Sequence, residues 1–137
     1  MTIEAGTIIP LIQVFDMPEA IRFYRDILGF ALVNSSPEID AAEGHYFHWA
    51  WLRLGRADLM LNTAYDANQR PPVRDESRWK GHGDTILYFA CPDVDGAYAE
   101  LRSKGVELAP PKHAPYGMKQ ISLRDPDGYA LCFQMPG

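Results

Sequence analysis

The sequence repeats its own pattern at a shift of 77 residues, and this repeat constrains the fold more than any other feature. The matching positions are Ile9 and Ile86, Asp16 and Asp93, Ala20 and Ala97, Tyr24 and Leu101, and Arg25 and Arg102. Half of a chain of 137 residues has little room for a hydrophobic core of its own. The repeat therefore predicts two small modules that pack together within a single domain, residues 1–137.

Each half shows the same order of predicted elements, which is a strand, a helix and three further strands. Asp16 and Asp93 are residues typical of helix N-caps, and Gly29 and Gly105 stand where the two apolar helical stripes end. The predicted strands span residues 7–15, 31–35, 46–54 and 57–63 in the first half, and 85–91, 106–109, 118–124 and 129–135 in the second. Both halves are thus predicted to be βαβββ modules.

A polar, basic segment separates the two modules. The modules span residues 7–66 and 83–135, and the segment between them, residues 67–82, holds four basic and two acidic residues. It begins near two prolines and ends in a glycine-rich turn, both of which are signals of a loop or linker. We interpret residues 67–82 as a connector, serving either as a plain crossover or as a functional loop.

Two motifs carry a family resemblance. Residues 16–30 read DMPEAIRFYRDILGF, and residues 125–134 read DPDGYALCFQ. Together with the repeat, they resemble the vicinal oxygen chelate superfamily, which includes glyoxalases, extradiol dioxygenases, fosfomycin thiol transferases and bleomycin-resistance proteins. The resemblance implies an α+β fold, in which two βαβββ modules form a curved mixed sheet around a shared cavity with the helices outside. It also implies a homodimer.

The resemblance further implies where a metal would be held in the family's enzymes. Carried onto this chain, the four ligand positions fall on Ile9, Met60, Ile86 and Cys132. A divalent ion needs nitrogen, oxygen or thiolate donors, and two of these four side chains are aliphatic. We therefore expect no metal and no cofactor, and a protein closest in character to the bleomycin-resistance branch.

Strand alternation predicts which side chains line the cavity, because residues two apart on a strand share a face. The predicted ligand-binding residues are Gln13, Trp49, Trp51, Arg53, Met60, Asn62, Tyr88, Arg124 and Cys132. This set is mostly apolar and aromatic with a few amides and guanidinium groups, as in small-molecule sites. Alternatively, Trp49 and Trp51 fill the space between the modules, which would leave an interaction protein without a cavity.

The predicted function is metal-free binding of a small aromatic or basic compound, of the kind that sequesters a drug in antibiotic resistance. An acidic chain would favour a cationic guest by electrostatic steering. The alternative is an enzyme, lactoylglutathione lyase-like or dioxygenase-like, with an atypical metal site or chemistry at Cys132. Whether any reaction is catalysed is left open by the sequence.

Composition excludes several other classes of protein. The chain has 13 basic and 18 acidic residues, a net charge of −5, and no long cluster of lysine and arginine, so nucleic acid is not an expected partner. No apolar run approaches the roughly 20 residues that span a bilayer. Two cysteines do not make a disulfide framework, so we expect a cytoplasmic protein.

Overall fold

The described part of the chain forms two four-stranded mixed sheets, each with helices packed against one side. The structure is a computed structural model that describes residues 2–41, 44–66 and 69–137. In chain order the elements are β1 (Leu11–Val14), α1 (Met17–Ile21), β2 (Ala31–Ser35), β3 (Ile39–Ala41), β4 (Gly44–Tyr46), β5 (Trp49–Leu54), β6 (Ala57–Thr63), α2 (Glu76–Gly81), β7 (Ile86–Ala90), α3 (Val94–Ser103), β8 (Lys112–Ala114), β9 (Met118–Arg124) and β10 (Ala130–Pro136). The predicted α+β fold class is confirmed.

The two sheets have one topology, as the repeat predicts. Sheet 1 has the strand order β1-β6-β5-β2, and sheet 2 has the equivalent order β7-β10-β9-β8. In each sheet the first strand of the module runs parallel to the last, and the remaining neighbours are antiparallel. The first module also carries the hairpin β3–β4, which the second module does not have between its described strands.

Both main helices begin at the aspartates that the sequence predicts as N-caps. Oδ1 of Asp16 accepts a hydrogen bond of 3.1 Å from the amide of Glu19, and Oδ1 of Asp93 accepts one of 2.9 Å from Gly96. These bonds satisfy amides that have no partner inside the helix. The first helix continues beyond α1 as a π-helical segment, Arg22–Ile27. The chain then leaves the helix through Gly29, at φ +92°, a conformation that favours glycine.

The predicted strand at residues 106–109 is wrong, because the strand of this region is β8, which begins at Lys112. Pairing of β8 with β9 starts at Lys112 opposite Gln120. Pro110 and Pro111 precede it and have no amide hydrogen, so they cannot extend the ladder upstream.

The predicted strand at residues 46–54 is broken in two, because the chain changes its pairing partner. Tyr46 pairs with Ile39 in the hairpin β3–β4, whereas Trp49 pairs with Asn62 in sheet 1. At the break, the hydroxyl of Ser36 accepts hydrogen bonds from the amides of residues 48 and 49, at 3.0 and 3.1 Å. A side chain thus replaces the ladder partner at this point.

The connector contains a helix that the sequence did not predict. Asp75 caps α2, accepting a hydrogen bond of 2.9 Å from the amide of Ser77, and a 3₁₀ turn over His82–Asp84 follows. No residue of α2 is buried, so the segment has no apolar stripe from which a helix is recognised. The first two residues of the predicted connector, 67 and 68, lie outside the described residues.

The two modules are joined on the helix-bearing sides of their sheets. The ring of Phe30, after the first helix, meets the ring of Phe89 on β7 edge-on at 6.1 Å between centroids. At the C-terminal end of α3, Nζ of Lys104 donates a hydrogen bond of 2.8 Å to the carbonyl of Ile27 in the first module. Phe30 and Phe89 belong to one hydrophobic core that is shared by both modules. Within the described ranges, no helix has the length and apolar character needed to cross a membrane.

Candidate functional site

Each sheet has a second side that carries no helix, and the predicted site residues lie there. On β1, Ile12 and Val14 are buried in the core, whereas Leu11 on the other side is 44% exposed. Bare face 1, on sheet 1, comprises Leu11, Gln13, Trp49, Trp51, Arg53, Asp58, Met60 and Asn62. Bare face 2, on sheet 2, comprises Ile86, Tyr88, Ala90, Lys112, Met118, Gln120, Ser122, Arg124, Ala130, Cys132 and Gln134.

The strand register aligns the aromatic and apolar members of bare face 1 in one row. Trp51 lies opposite Met60, which in turn lies opposite Leu11. In the next row Trp49 lies opposite Asn62, whose amide nitrogen is 3.5 Å from Oε1 of Gln13. Since cross-strand neighbours on one side of a sheet touch, these residues form a continuous apolar surface with an amide pair at its edge.

Bare face 1 also holds an ion pair in which the arginine engages both carboxylate oxygens. Nε of Arg53 donates to Oδ1 of Asp58 at 2.7 Å, and Nη2 donates to Oδ2 at 3.2 Å. The hydrogen bonds from Arg53 lower the pKa of Asp58 below its usual range, so the carboxylate stays ionised at neutral pH. The guanidinium lies 5.4 Å from the centre of the Trp51 ring. The pair therefore holds its charges next to the aromatic row without leaving a free carboxylate.

The middle of bare face 2 holds neutral amide and hydroxyl groups. Nε2 of Gln120 donates to the hydroxyl of Tyr116 and to Oε1 of Gln134, both at 2.8 Å. Tyr88, which is 53% exposed, lies in the adjoining row, and the neighbouring Tyr116 raises its pKa. The phenol of Tyr88 is therefore uncharged at neutral pH and presents its hydroxyl group on this face.

Cys132 occupies the middle of bare face 2 but is covered by its neighbours. Its register partners are Tyr88 and Ser122, and only 4% of its surface is exposed. Burial raises the pKa of its thiol. A thiolate is the nucleophilic form of cysteine, and this environment disfavours it. Cys91 is also a free thiol, on the helix-bearing side of sheet 2.

The four positions that would hold a metal in the family's enzymes do not fit one here. Met60 lies on sheet 1, whereas Ile86 and Cys132 lie on sheet 2, and Ile86 is 46% exposed. The set contains two aliphatic side chains, one thioether and one thiol that burial keeps protonated. Such a set offers a divalent ion no hard or imidazole donor.

Arg124, a predicted site residue, is held at the edge of bare face 2 by groups that the sequence did not single out. Its Nη1 donates a hydrogen bond of 2.7 Å to the carbonyl of Gly128, and its guanidinium lies 5.6 Å from the centre of the Trp79 ring. Trp79 belongs to α2 of the connector. The connector was recognised by its polarity, but nothing in its pattern indicated that a tryptophan would reach this edge.

A cavity between described residues lies away from the predicted site. It has a volume of about 830 Å³ and opens on the helix-bearing side, between the end of the first helix, the β5–β6 turn and α3. Its apolar lining includes Ile27, Leu54, Phe89, Leu101 and Phe133. None of the predicted site residues lines it. Those residues lie on the two bare faces, outside this cavity.

The DPDG turn, residues 125–128, is also a buried polar centre. Asp125 and Asp127 are 4% and 7% exposed. Oδ1 of Asp127 accepts from the amide of Phe15 at 2.8 Å and from Nη1 of Arg74 at 2.9 Å. Arg74 also donates to Glu19 at 2.9 Å, so it ties the connector to both modules. These contacts organise the junction between modules.

The sequence of the chain matches a known superfamily. A sequence model of the Glyoxalase/Bleomycin resistance protein/Dioxygenase superfamily matches residues 7–133. The chain belongs to this superfamily. It is also similar to the uncharacterized protein YaeR of Escherichia coli (strain K12), with 34% identity over 114 residues, 80% of this chain and 79% of YaeR.

Solved structures of superfamily members have the same fold. A bleomycin-binding protein complexed with bleomycin superimposes with a TM-score of 0.69 at 18% identity, over 97% of this chain and 100% of that protein. TnmS3, an antibiotic binding protein from Streptomyces sp. CB03234, superimposes with a TM-score of 0.62 at 26% identity, over 98% of this chain and 99% of TnmS3. The family model confirms the predicted membership, and these solved structures share the predicted α+β fold.

Proposed function

We propose that this superfamily member is a metal-free binding protein that reversibly holds a small aromatic compound against its bare faces. The observation that carries the proposal is the aligned row of Trp51, Met60 and Leu11 on bare face 1. A flat aromatic guest gains both burial of apolar area and ring stacking on such a surface. The amides of Gln13 and Asn62 border the row and would fix the guest's orientation.

A second copy of the chain completes the site in this proposal. Leu11 on bare face 1 and Ile86 and Tyr88 on bare face 2 are between 44% and 53% exposed, which leaves apolar area uncovered on both faces. The modules of one chain already contact each other on the opposite sides of their sheets, through Phe30 and Phe89. A homodimer that brings one bare face against another would enclose a pocket and bury this area.

The relatives support binding rather than catalysis. One structural neighbour is described as a bleomycin-binding protein complexed with bleomycin, and another, at 26% identity, as an antibiotic binding protein. An enzyme of the glyoxalase or dioxygenase kind requires an ion to polarise vicinal oxygens. The side chains at Ile9, Met60, Ile86 and Cys132 do not provide for one, and burial disfavours the Cys132 thiolate. The residues at these four positions therefore favour binding over the enzyme alternative.

Isothermal titration with 2-naphthamide, a neutral two-ring probe, tests the proposal. We expect saturable binding with a dissociation constant of about 1 mM or lower. Trp51→Leu should weaken binding by about fivefold or more, because it removes the stacking ring. Tyr98→Leu is the matched control, since Tyr98 lies on α3 on the far side of sheet 2 and should leave the affinity unchanged. Absence of saturable binding by the unaltered protein, or an equal loss in both variants, would contradict the proposal.

A further inference from the structure

Neither bare face shares the negative charge of the whole chain. The chain carries a net charge of −5. Among the residues of bare face 1, the one carboxylate is Asp58, and both of its oxygens are engaged by Arg53. That face therefore contributes no net charge and offers a cationic guest no free acidic partner.

Bare face 2 carries cations and no acid among its members. Lys112 lies at one end, in the row of Gln120 and Gln134, and is exposed. Arg124 lies at the other end, in the row of Ala130, and donates a hydrogen bond to the uncharged carbonyl of Gly128. Two positive side chains thus flank the tyrosines and amides of this face.

The hydrogen-bond donors of bare face 2 suit a guest molecule that presents acceptor oxygens. Gln120 donates through its amide nitrogen to Tyr116 and Gln134, which leaves the amide nitrogen of Gln134 as a donor directed to neither group. The phenol of Tyr88 supplies another donor at 53% exposure. Carbonyl, hydroxyl and carboxylate oxygens are the natural acceptors for such groups.

We propose that the guest is a neutral or anionic planar aromatic compound, recognised by these donors and cations, and not a basic one. The inference rests on the proposed function. An ammonium group brought into the site would lose water beside Lys112 and Arg124 without gaining a carboxylate, which is unfavourable. The net charge of the chain does not offset this, because charges farther away than about 8–10 Å are screened at physiological ionic strength. The acidic composition is therefore misleading about the guest.

Three probes with one ring system and different charges test the inference. Isothermal titration at pH 7.5 compares 2-naphthoate, 2-naphthamide and 2-naphthylmethylammonium with the full-length protein. We expect the anion and the amide each to bind about threefold or more tightly than the cation. Raising the salt concentration from 50 to 500 mM should reduce the advantage of the anion but leave the amide unchanged.

A pair of charge variants assigns the preference to bare face 2. Lys112→Gln should reduce the ratio of naphthoate to naphthylmethylammonium affinity by about twofold or more. Arg102→Gln, at an exposed position of α3, removes the same charge elsewhere and should leave that ratio unchanged. Tighter binding of the cation than of the amide, or an equal response of both variants, overturns the inference while the proposed function stands. Absence of binding by all three probes overturns both.

Discussion

The hydroxyl of Tyr24 donates a hydrogen bond of 2.6 Å to Oδ2 of Asp125, linking the first helix of one module to the β9–β10 turn of the other. Tyr24 is fully buried and Asp125 is 4% exposed, and burial raises the pKa of both groups. The bond therefore lies in an environment from which water is excluded. Any change that removes the donor leaves a buried carboxylate oxygen without its partner.

Tyr24→Phe should lower the free energy of unfolding by about 1–3 kcal/mol, the cost of an unsatisfied buried acceptor. Urea unfolding followed by circular dichroism measures the change. Tyr116→Phe is the control, because Tyr116 is 67% exposed and its replacement should change stability by less than about 0.5 kcal/mol. A loss in Tyr24→Phe no larger than that of the control would contradict the importance of this contact.

Asp127 gives the fold a pH dependence of its own. Burial raises its pKa to about 6, and its Oδ2 is buried without a hydrogen-bond partner. The pKa of an aspartate in an unfolded chain is about 3.9. Between this pH and the native pKa of about 6, the native state therefore binds more protons than the unfolded state. The contribution of Asp127 to stability is therefore present at low pH and is lost as pH rises towards 6, by at most about 3 kcal/mol.

Asp127→Asn removes this titration. The variant should gain stability relative to the unaltered protein as pH is raised from 4 to 6.5, and the difference should become constant above that. Urea unfolding at half-unit steps of pH measures the difference, which cancels the titration of carboxylates common to both proteins. A difference that does not vary with pH would show that Asp127 has an ordinary pKa.

Gly128 should tolerate no side chain, for two separable reasons. Its φ is +88°, and a Cβ atom there would lie 2.6 Å from the carbonyl oxygen and 2.8 Å from the ring of Trp79. Gly117 has a similar φ of +84° but open space around it. Gly117→Ala should therefore lower the free energy of unfolding by about 1–2 kcal/mol, the strain of a positive φ in alanine. Gly128→Ala should lower it further, because α2 must also move away from the new Cβ atom. Equal losses in urea unfolding would mean that α2 does not pack on this turn.

The elements that the sequence predicted correctly are those specified by residues close together in the chain. Asp16 and Asp93 cap helices because their side chains reach amides three residues ahead. Alternation along β1 separates buried Ile12 from exposed Leu11 in the way that a strand must. For the same reason the predicted site residues fall on the sides of the sheets that carry no helix.

The parts that the sequence did not predict depend on contacts between residues far apart. Trp79 packs on Gly128, and Arg74 bonds to Asp127 across 53 residues, yet the connector shows only a polar pattern. The placement of the two bare faces relative to each other depends on how the modules dock, for example through Phe30 and Phe89. No local pattern encodes a docking geometry of this kind.

Removal of metal should have no effect on this protein. The positions that would supply ligands are Ile9, Met60, Ile86 and Cys132, which present no suitable donor set. Incubation with EDTA, and separately with Zn²⁺, Ni²⁺ or Mn²⁺, should leave the thermal midpoint in differential scanning fluorimetry unchanged. A ligand that binds only the native state raises that midpoint. A stoichiometric ion found by elemental analysis, whose removal lowers the midpoint, would refute the metal-free proposal.

A charge placed on bare face 2 should separate the proposed homodimer. We expect size-exclusion chromatography with light scattering to give twice the chain mass of 15.4 kDa for the unaltered protein. Ile86 is 46% exposed in the single chain. If a second copy covers this face, Ile86→Asp would bury a carboxylate in the interface, which is unfavourable. The variant should therefore elute with the mass of one chain. Val73→Asp is the control, because Val73 is 75% exposed in the connector and belongs to neither face. Loss of the dimer in both variants would place the interface elsewhere, and a monomeric unaltered protein would remove the second copy from the proposal.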